Sequence, residues 1–442
     1  MVFRCDLDGG GLEVLGHNFR NNYEVTVDSF GNLWQSDNDD DGNRATRINF
    51  VMEGGNYGFL DQRTGEGWRK ARTGMHANVS LRHWHLNDPG VVPNVLQTGA
   101  GAPAGITVYE GELLPPAFRG SLIHCDSGVN VVRAYPVEEQ GAGYRAKSLS
   151  VFEHPKDKSF RPIDVAVAPD GSLFVSDWYD SAVGGFQQHD IERGRLYRVA
   201  PEGRRYAIPK FDFSSASGAV EALTNANHCA RSKAWRALRD MGARAEAELL
   251  KLYRSNDARH RARALWLLGK IDGRTEHYVG LAAKDADPAI RVTALRLARR
   301  NNSDLVALIK ELADDPSPAV RRACAIALTH LKSPAKAELW ATLASQHDGR
   351  DRWFLEALGI AAASSWEACF AAWLKKIDGK WDTPGGREII WRSRSVLAPA
   401  LLAKILKDPK LAERERARYF RALDFHSGPE KEAALKSLLE DD

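Results

Sequence analysis

The sequence has 442 residues, a formal net charge of +3 and 43% hydrophobic residues, so it is too long for one ordinary domain and nearly neutral. No long run of one charge sign supports a nucleic-acid partner, and no stretch of roughly 18 apolar residues could span a membrane. The five cysteines form no C-x-x-C or C-x-x-C-H motif, which excludes a zinc knuckle and a c-type haem attachment site within this chain.

Residues 1–205 alternate short β-branched and aromatic runs with Gly, Asp, Asn and Pro, as strands and turns require. A pattern of Gly, a small polar residue, Leu, three strand residues and a closing Asp recurs as GNLWQSD, GSLIHCD and GSLFVSD. Strand, turn, strand, loop and strand at a spacing of about 40 to 50 residues indicates β-propeller blades. We therefore predict a partial β-propeller of about three to four blades over residues 1–205.

The N-terminal segment VFRCDLDGG matches LYRVAPEGR, the last strand of the third repeat. Met1 therefore lies at the final strand of a blade whose earlier strands are missing. Because an open ring would leave strand edges unpaired, we expect the chain to be the C-terminal part of a longer propeller that begins upstream.

An acidic loop, SDNDDDGN, places Asp37, Asp39 and Asp41 at alternate positions ahead of Asn43. An EF-hand needs a bidentate Glu at its twelfth position, but that position is Ile48, and the flanking residues are typical of strands rather than helices. We predict instead a calcium site in an inter-strand loop, with Asp37, Asp39, Asp41 and Asn43 as hard oxygen ligands. A solvated acidic turn is the alternative.

A long Gly-rich and aromatic insertion follows at residues 54–102, and insertions of this kind often form the walls of a ligand site; a disordered excursion is the alternative. Within it, His83 and His85 flank Trp84. On a strand these histidines would share one face, as a zinc pair would, but no third ligand is near in sequence. An ordinary polar strand is therefore favoured.

After residue 205, Ala, Leu, Arg, Lys and Glu dominate at helical spacing. Arg231, Arg261, Arg291 and Arg321 recur every 30 residues, with a small residue three positions later and an apolar residue seven positions later. This repeat resembles HEAT repeats and predicts an α-solenoid of five or six helix pairs over residues 206–442. The arginines could form a binding stripe, but their fixed place at the helix start favours a structural role.

The run HNFRNNYEVTVDSFGNLWQSDNDDDGNRATRINFVMEGGNYGF resembles the glucose/sorbosone dehydrogenase propellers, and AGITVYEGELLPPAFRGSLIHCD resembles their following blade. The whole β plus α two-domain order is similar to the large bacterial "membrane-bound dehydrogenase" proteins, also called PVC-type haem-binding CxxCH proteins. That resemblance implies a sugar or polyol substrate, pyrroloquinoline quinone (PQQ), calcium, and a periplasmic or membrane-associated location. It also implies a cytochrome c domain as electron acceptor, which this chain lacks.

By motif position, the resemblance carries the family's cofactor contacts onto Arg20, Asn21 and Arg161; the alternative for Arg20 and Arg161 is that both hold blade ends together at the same blade position. Two further cationic positions differ, because Ile163 replaces an arginine and Asp126, Ser127 and Gly128 replace a lysine. The family's catalytic histidine would lie upstream of Met1. Two classes of function remain open: part of a redox enzyme that oxidises a sugar, and a non-catalytic scaffold that binds a polysaccharide or a protein through the propeller and the HEAT solenoid.

Overall fold

The structure is a computed structural model that describes residues 1–40, 42–154, 156–182 and 192–440. The last strand ends at Val199, and the helices of the C-terminal half begin at Ala216. The boundary predicted between residues 205 and 206 falls in the segment between these two elements. Asp41, one of the predicted calcium ligands, lies outside the described residues.

Sixteen strands are described in the N-terminal half. They are β1 Val2–Arg4, β2 Glu13–His17, β3 Asn22–Val27, β4 Leu33–Asp37, β5 Thr46–Phe50, β6 Gly55–Asn56, β7 Leu96–Gly99, β8 Pro103–Val108, β9 Leu122–Asp126, β10 Val131–Tyr135, β11 Val137–Gln140, β12 Gly143–Ala146, β13 Leu149–Glu153, β14 Pro162–Val167, β15 Leu173–Asp177 and β16 Arg195–Val199.

Three of the sheets resemble successive propeller blades. Their strand orders are β3-β4-β5-β7, β8-β9-β10-β13 and β14-β15-β16, and every pair within them is antiparallel. The first strands β3, β8 and β14 lie beside one another, as the innermost strands of neighbouring blades do. A further sheet, β1-β2-β6, precedes them, and β11-β12 is a separate hairpin.

The glycine of the repeated sequence pattern is needed by the turn between the first two strands of each blade. Gly31, Gly120 and Gly171 have φ angles of +85°, +78° and +86°, a left-handed conformation that glycine adopts at little cost. In the first blade, Asp28 Oδ1 accepts hydrogen bonds from the backbone N–H groups of Phe30 (3.0 Å) and Asn32 (2.9 Å), which closes the turn.

The closing aspartates tie the start of each blade to its second strand. Each accepts a hydrogen bond from a backbone N–H directly ahead of the first strand: Asn21 to Asp37 (2.7 Å), Ala102 to Asp126 (2.8 Å) and Arg161 to Asp177 (2.7 Å). Arg47 on β5 and Arg195 on β16 add a charged hydrogen bond to the closing aspartate of their own blade. The repeated Asp is therefore a structural feature of the blade.

The C-terminal half is a solenoid of short helices. The helices are α2 Ala216–Leu223, α3 His228–Met241, α4 Glu246–Tyr253, α5 Ala258–Leu268, α6 Thr275–Ala282, α7 Pro288–Arg300, α8 Leu305–Leu312, α9 Pro318–Leu328, α10 Ala335–Ala344, α11 Arg352–Ala362, α12 Trp366–Lys376, α13 Pro384–Arg392, α14 Ala398–Leu406, α15 Glu413–Asp424 and α16 Pro429–Leu439; α1, Val79–His83, belongs to the insertion.

Between Ala216 and Leu439 the described residues therefore form fifteen helices, more than the five or six helix pairs predicted. The count was wrong because the Trp-rich segments after residue 360 hide the helical period. No helix in the described ranges is long and apolar enough to cross a membrane.

The recurring arginines form a ladder within the solenoid. Arg261, Arg291 and Arg321 each donate Nη1 to the backbone carbonyl six residues earlier, at 3.1, 2.8 and 2.6 Å. Arg291 also holds both oxygens of Asp315, at 2.7 and 2.8 Å. These bonds join one helix pair to the next. The contacts therefore support a structural role for these arginines.

We expect Arg291→Met to lower the free energy of unfolding by about 2 kcal/mol, because it removes charge-assisted hydrogen bonds from a partly buried site. The matched control is Lys310→Met on α8, where the side chain is exposed. Denaturant unfolding checks the prediction, and equal midpoints for the two variants would contradict it.

The solenoid packs along the blades through a shared apolar core. One hydrophobic cluster includes Trp34 and Phe50 from the first blade together with Trp353 from α11. The rings of Phe50 and Trp353 lie 6.1 Å apart. The two halves are therefore distinct in secondary structure but share one core.

A second set of arginines, not part of the ladder, reaches from the helices to the strand-rich half. Their contacts are Arg263 with Glu110, Arg296 with Phe30 O, Arg299 with Glu53, Arg322 with Ala142 O, Arg352 with Asp88 O, Arg394 with Pro89 O and Arg421 with Asp61. Most of these guanidinium groups bind a backbone carbonyl or a buried carboxylate, so they brace the blades against the solenoid.

Candidate functional site

The predicted cofactor residues lie at one end of the innermost strands. Asn22 begins β3 and pairs with its closing Asp37, while Pro162 begins β14 and pairs with Asp177. Asn21 and Arg161 therefore hold the same position in their blades. Since the innermost strands of neighbouring blades run in the same direction, Arg20, Asn21 and Arg161 lie on one face of the propeller.

Arg20 and Asp40 form the polar centre of this face. Arg20 Nε donates to Asp40 Oδ1 at 2.7 Å, and Trp68 Nε1 donates to Asp40 Oδ2 at 2.8 Å. Burial would raise the pKa of Asp40, but the hydrogen bonds from Trp68 and Arg20 outweigh it and hold that pKa below its usual value. Asp40 is therefore a stable anion at neutral pH, fixed by an arginine and an indole.

Arg161 is more deeply buried than Arg20. Its Nη1 and Nη2 donate to the carbonyl oxygens of Phe160 and Ser181, both at the long distance of 3.3 Å. Its Nε has no hydrogen-bond partner among the described residues. Arg161 Nε can therefore donate a hydrogen bond to a ligand, whereas Arg20 Nε already donates to Asp40.

The predicted calcium ligands are already hydrogen-bonded to the protein. Asp37 accepts from the backbone N–H of Asn21 and from Arg47 Nη2 (2.8 Å), and its side chain is fully buried. Asp39 accepts from Ala45 N–H (2.8 Å) and from the Thr46 hydroxyl.

Asn43 is the remaining predicted ligand within the described residues, and its Nδ2 lies 2.9 Å from His83 Nδ1. The side chains of Asp37, Asp39 and Asn43 therefore have hydrogen-bond partners within the protein without a metal. Calcium at this loop stays a prediction.

His83 and His85 are not on a strand, so that prediction was wrong. His83 ends helix α1, and His85 has a positive φ of 50° in the turn that follows. The strand prediction failed because His83 and His85 fit an alternating polar strand pattern as well as they fit the end of a helix. Burial lowers the pKa of His83 to about 4, so this imidazole is neutral at pH 7.

An open cleft of about 460 Å³ lies beside the Arg20–Asp40 pair. Its lining consists of Asp40, Phe59, Glu66, Gly67, Trp68, Arg69 and Lys70. Aromatic faces next to carboxylates and basic groups can bind a molecule that has both C–H surfaces and hydroxyl groups. Most of the lining comes from the insertion at residues 54–102. The sequence analysis missed Trp68, whose only signal was its place in that insertion.

A second polar cluster lies where the insertion meets the last helices. Asp61, His85 and Asp88 are buried, and their potential ligand atoms all lie within 4.8 Å of one another. However, Arg421 Nη2 contacts the carboxylates of both Asp61 and Asp88, and Arg72 Nε lies 3.6 Å from Asp88. Two arginines already neutralise the two carboxylates, so the cluster is an ion-pair network rather than a metal centre.

Two family models match the chain. A domain of unknown function, DUF7133, matches residues 1–203, and HEAT repeats match residues 276–359. The second match confirms HEAT repeats within the predicted solenoid. No curated protein matches the chain.

Among solved structures, an oxidoreductase (glucose dehydrogenase) from Thermus thermophilus is 19% identical, with a TM-score of 0.30, over 42% of this chain and 47% of that chain. The PQQ-bound aldose sugar dehydrogenase of Streptomyces coelicolor is 18% identical, with a TM-score of 0.29, over 44% of this chain and 47% of that chain. An engineered protein is 17% identical, with a TM-score of 0.27, over 51% of this chain and 71% of that chain. This chain thus spans about half the length of the two dehydrogenases, and at these TM-scores the likeness carries no conclusion about activity.

Proposed function

We propose that this chain is the carbohydrate-binding part of a sugar-dehydrogenase-like protein, with a propeller that binds a sugar, polyol or polysaccharide beside Trp68 and a HEAT solenoid that holds it. The observation that carries the proposal is the fixed Arg20–Asp40–Trp68 group at the edge of an open cleft. This group lies at the end of the innermost strands, on the face where the related sugar dehydrogenases are expected to hold cofactor and substrate.

The side chains of the cleft suit a sugar. The Trp68 and Phe59 rings offer faces for the C–H side of a pyranose, and Asp40 and Glu66 can accept hydrogen bonds from its hydroxyl groups. Arg69 is a donor, and its guanidinium lies 5.0 Å from the Trp68 ring. Because Asp40 is held by Arg20, it can accept a hydrogen bond from a sugar hydroxyl without moving.

The described residues do not fit PQQ on their own. A quinone with several carboxylates needs several cations, but Arg20 is paired with Asp40. Ile163 is partly buried and packs against a hydrophobic cluster that includes Ile123 and Val165. Where the related proteins carry a lysine, Asp126 contributes a buried carboxylate instead. We therefore assign no chemical step to the quinone in this chain.

A redox role is the second candidate. In that case PQQ and calcium, the latter at the loop of residues 37–43, would supply the redox chemistry for sugar oxidation, and a cytochrome c domain or protein in the periplasm or at a membrane would be the electron acceptor. The retained Arg20–Asn21 pair favours it, as does the Nε of Arg161, which has no partner in the described ranges. The replacements at Ile163 and Asp126 count against it.

We expect Trp68→Ala to weaken the binding of a neutral oligosaccharide about tenfold or more, because the sugar loses its aromatic platform. Calorimetric titration, after a screen of neutral and acidic oligosaccharides, measures the change. Trp178→Ala, which removes an exposed indole from another part of the propeller, is the matched control and is expected to bind normally. No oligosaccharide binding by the wild-type chain would contradict the proposal.

The redox candidate needs a separate experiment. The chain is mixed with PQQ and calcium, and quinone binding is followed by its absorption. Sugar-dependent reduction of a dye is then measured with a full-length version that carries the expected upstream histidine. Sugar binding without quinone binding supports the carbohydrate-binding role alone. Quinone binding that is lost in Arg161→Met, together with dye reduction, would replace it with the redox role.

A further inference from the structure

The cleft beside Trp68 carries more positive than negative charge. Its lining includes two carboxylates and two basic side chains: Asp40, Glu66, Arg69 and Lys70. One carboxylate is already neutralised, because Arg20 Nε lies 2.7 Å from Asp40 Oδ1. Arg69 and Lys70 are exposed, and neither has a carboxylate partner among the described residues. Both cations are therefore available to a ligand.

A further arginine lies against the same indole. The guanidinium carbon of Arg82 is 5.4 Å from the centre of the Trp68 ring, and that of Arg69 is 5.0 Å from it. Arg82 is half-buried, and its Nε is buried without a hydrogen-bond partner in the described ranges. With Arg20 and Arg82, the cleft and its immediate surroundings hold four cations and two carboxylates, an excess of two positive charges.

His83 adds a neutral hydrogen-bond donor next to Trp68. The two rings lie 5.8 Å apart. Asn43 Nδ2 lies 2.9 Å from His83 Nδ1, and because an amide nitrogen only donates, Nδ1 accepts and the ring proton is on Nε2. This Nε2 is buried and has no partner within the part of the chain that the structure describes. The surroundings of Trp68 therefore contain more donors than the protein itself satisfies.

Acceptors are scarce at the same place. Each oxygen of Asp40 already accepts one hydrogen bond, from Arg20 and from Trp68. A sugar hydroxyl both donates and accepts, whereas a carboxylate or a sulfate ester only accepts and carries a negative charge. The excess of donors and of positive charge therefore favours a sugar that carries an acid group over a neutral sugar.

We propose that the Trp68 cleft selects an anionic saccharide, whose ring lies on the indole and whose carboxylate or sulfate group binds Arg69 and Lys70 beside Arg82. The two acid groups offer the protein the same chemistry, since both present negatively charged oxygens that only accept hydrogen bonds. This preference rests on the proposed carbohydrate-binding function and names the class of substrate for that site.

The test compares ligands that differ only in the acid group. In one arm, a uronic acid oligosaccharide and its methyl ester are titrated into the full chain by calorimetry. In the other arm, a sulfated oligosaccharide and its desulfated form are titrated. The charged member of at least one pair is expected to bind about tenfold or more tightly than its neutral partner, and added salt is expected to reduce this ratio. The arm with the larger ratio identifies the acid group.

Variants of the basic residues are expected to reduce the ratio of charged to neutral binding. The double variant Arg69→Met, Lys70→Met should lower it about tenfold, and Arg82→Met about threefold. Arg254→Met, which removes an exposed arginine that follows α4, is the matched control and should keep the wild-type ratio. Because both members of a pair are measured on the same protein, partial unfolding of a variant leaves the ratio unchanged.

The outcomes separate this preference from the function on which it rests. If the neutral members bind as tightly as the charged members in both arms, the preference is wrong and carbohydrate binding stands. A wild-type ratio in the double variant would place the acid group away from Arg69 and Lys70, which also overturns the preference. If none of the four oligosaccharides binds to the wild type, the carbohydrate-binding function fails as well.

Discussion

Replacing Arg421 by methionine is expected to lower the free energy of unfolding by about 3 to 5 kcal/mol, because it leaves the buried Asp61 without a cation and Asp88 with Arg72 alone. Arg421 lies on α15, and its Nη2 contacts Asp61 and Asp88 of the insertion. All three side chains are almost fully buried, with exposures of 1%, 4% and 2%. Denaturant unfolding followed by tryptophan fluorescence measures the loss.

Two further variants separate this charge effect from a general effect on the helix. Arg414→Met, at an exposed position of the same helix, should unfold like the wild type. Adding Asp61→Asn to Arg421→Met should recover part of the stability, because the neutral amide removes the unpaired charge at this position while Asp88 keeps Arg72 as its partner. If Arg421→Met alone has no effect, the ion pair does not hold the insertion to the solenoid.

Glu110→Gln is expected to destabilise the contact between the blades and the first helices by about 3 kcal/mol. Glu110 Oε2 accepts hydrogen bonds from Arg231 (2.9 Å) and Arg263 (3.1 Å), and both its oxygens accept from Ser29. The amide would leave two buried arginines facing each other without an anion. Burial lowers the pKa of Arg263 to about 10, and the Glu110 carboxylate partly offsets this effect. The charged form of Arg263 therefore depends on Glu110 for stabilisation.

The same carboxylate predicts how stability depends on pH. Burial would raise the pKa of Glu110, but Arg231 and Arg263 outweigh it and lower the pKa to about 2. A depressed carboxyl pKa stabilises the fold above the group's ordinary value, about 4.5, and this contribution is lost as the pH falls toward 2. Burial and the nearby Glu110 raise the pKa of Asp28 to about 6. Protonation of Asp28 between about pH 6 and 4 therefore stabilises the fold, which is opposite in sign to the effect of protonating Glu110.

Unfolding midpoints between about pH 5 and 2.5 check this prediction. The wild type is expected to lose more stability over this range than Glu110→Gln, which has no carboxyl group to protonate at this position. Glu112→Gln, an exposed residue two positions away, is the control. Parallel curves for the wild type and Glu110→Gln would contradict the assignment.

The elements that could be predicted from the sequence are those that depend on neighbouring residues. The glycine of each strand turn, such as Gly31, is required by a local positive φ. The helix starts at Pro288 and Pro318 follow from the missing proline N–H. The blade-like sheets and the HEAT repeats are both built from such local units, which is why their sequence repeats are visible.

The candidate site was only partly predictable. Its sequence motif indicates Arg20 and Asn21, but it does not indicate that Asp40 pairs with Arg20 or that Trp68 reaches across to the same carboxylate. The acidic loop predicts free oxygen ligands, whereas Asp37 is buried and bound by Arg47. In each case the partner is supplied by another strand or by the insertion, at no fixed spacing.

The sequence by itself determined the order of the two halves, the turns of the blades and the period of the solenoid, since each depends on contacts within a few residues or one repeat. Only the tertiary structure decided how the halves join. Arg421 meets Asp61 from 360 residues away, and Arg263 meets Glu110 from 153 residues away. Such contacts depend on where whole elements pack, and no local pattern of side chains encodes them.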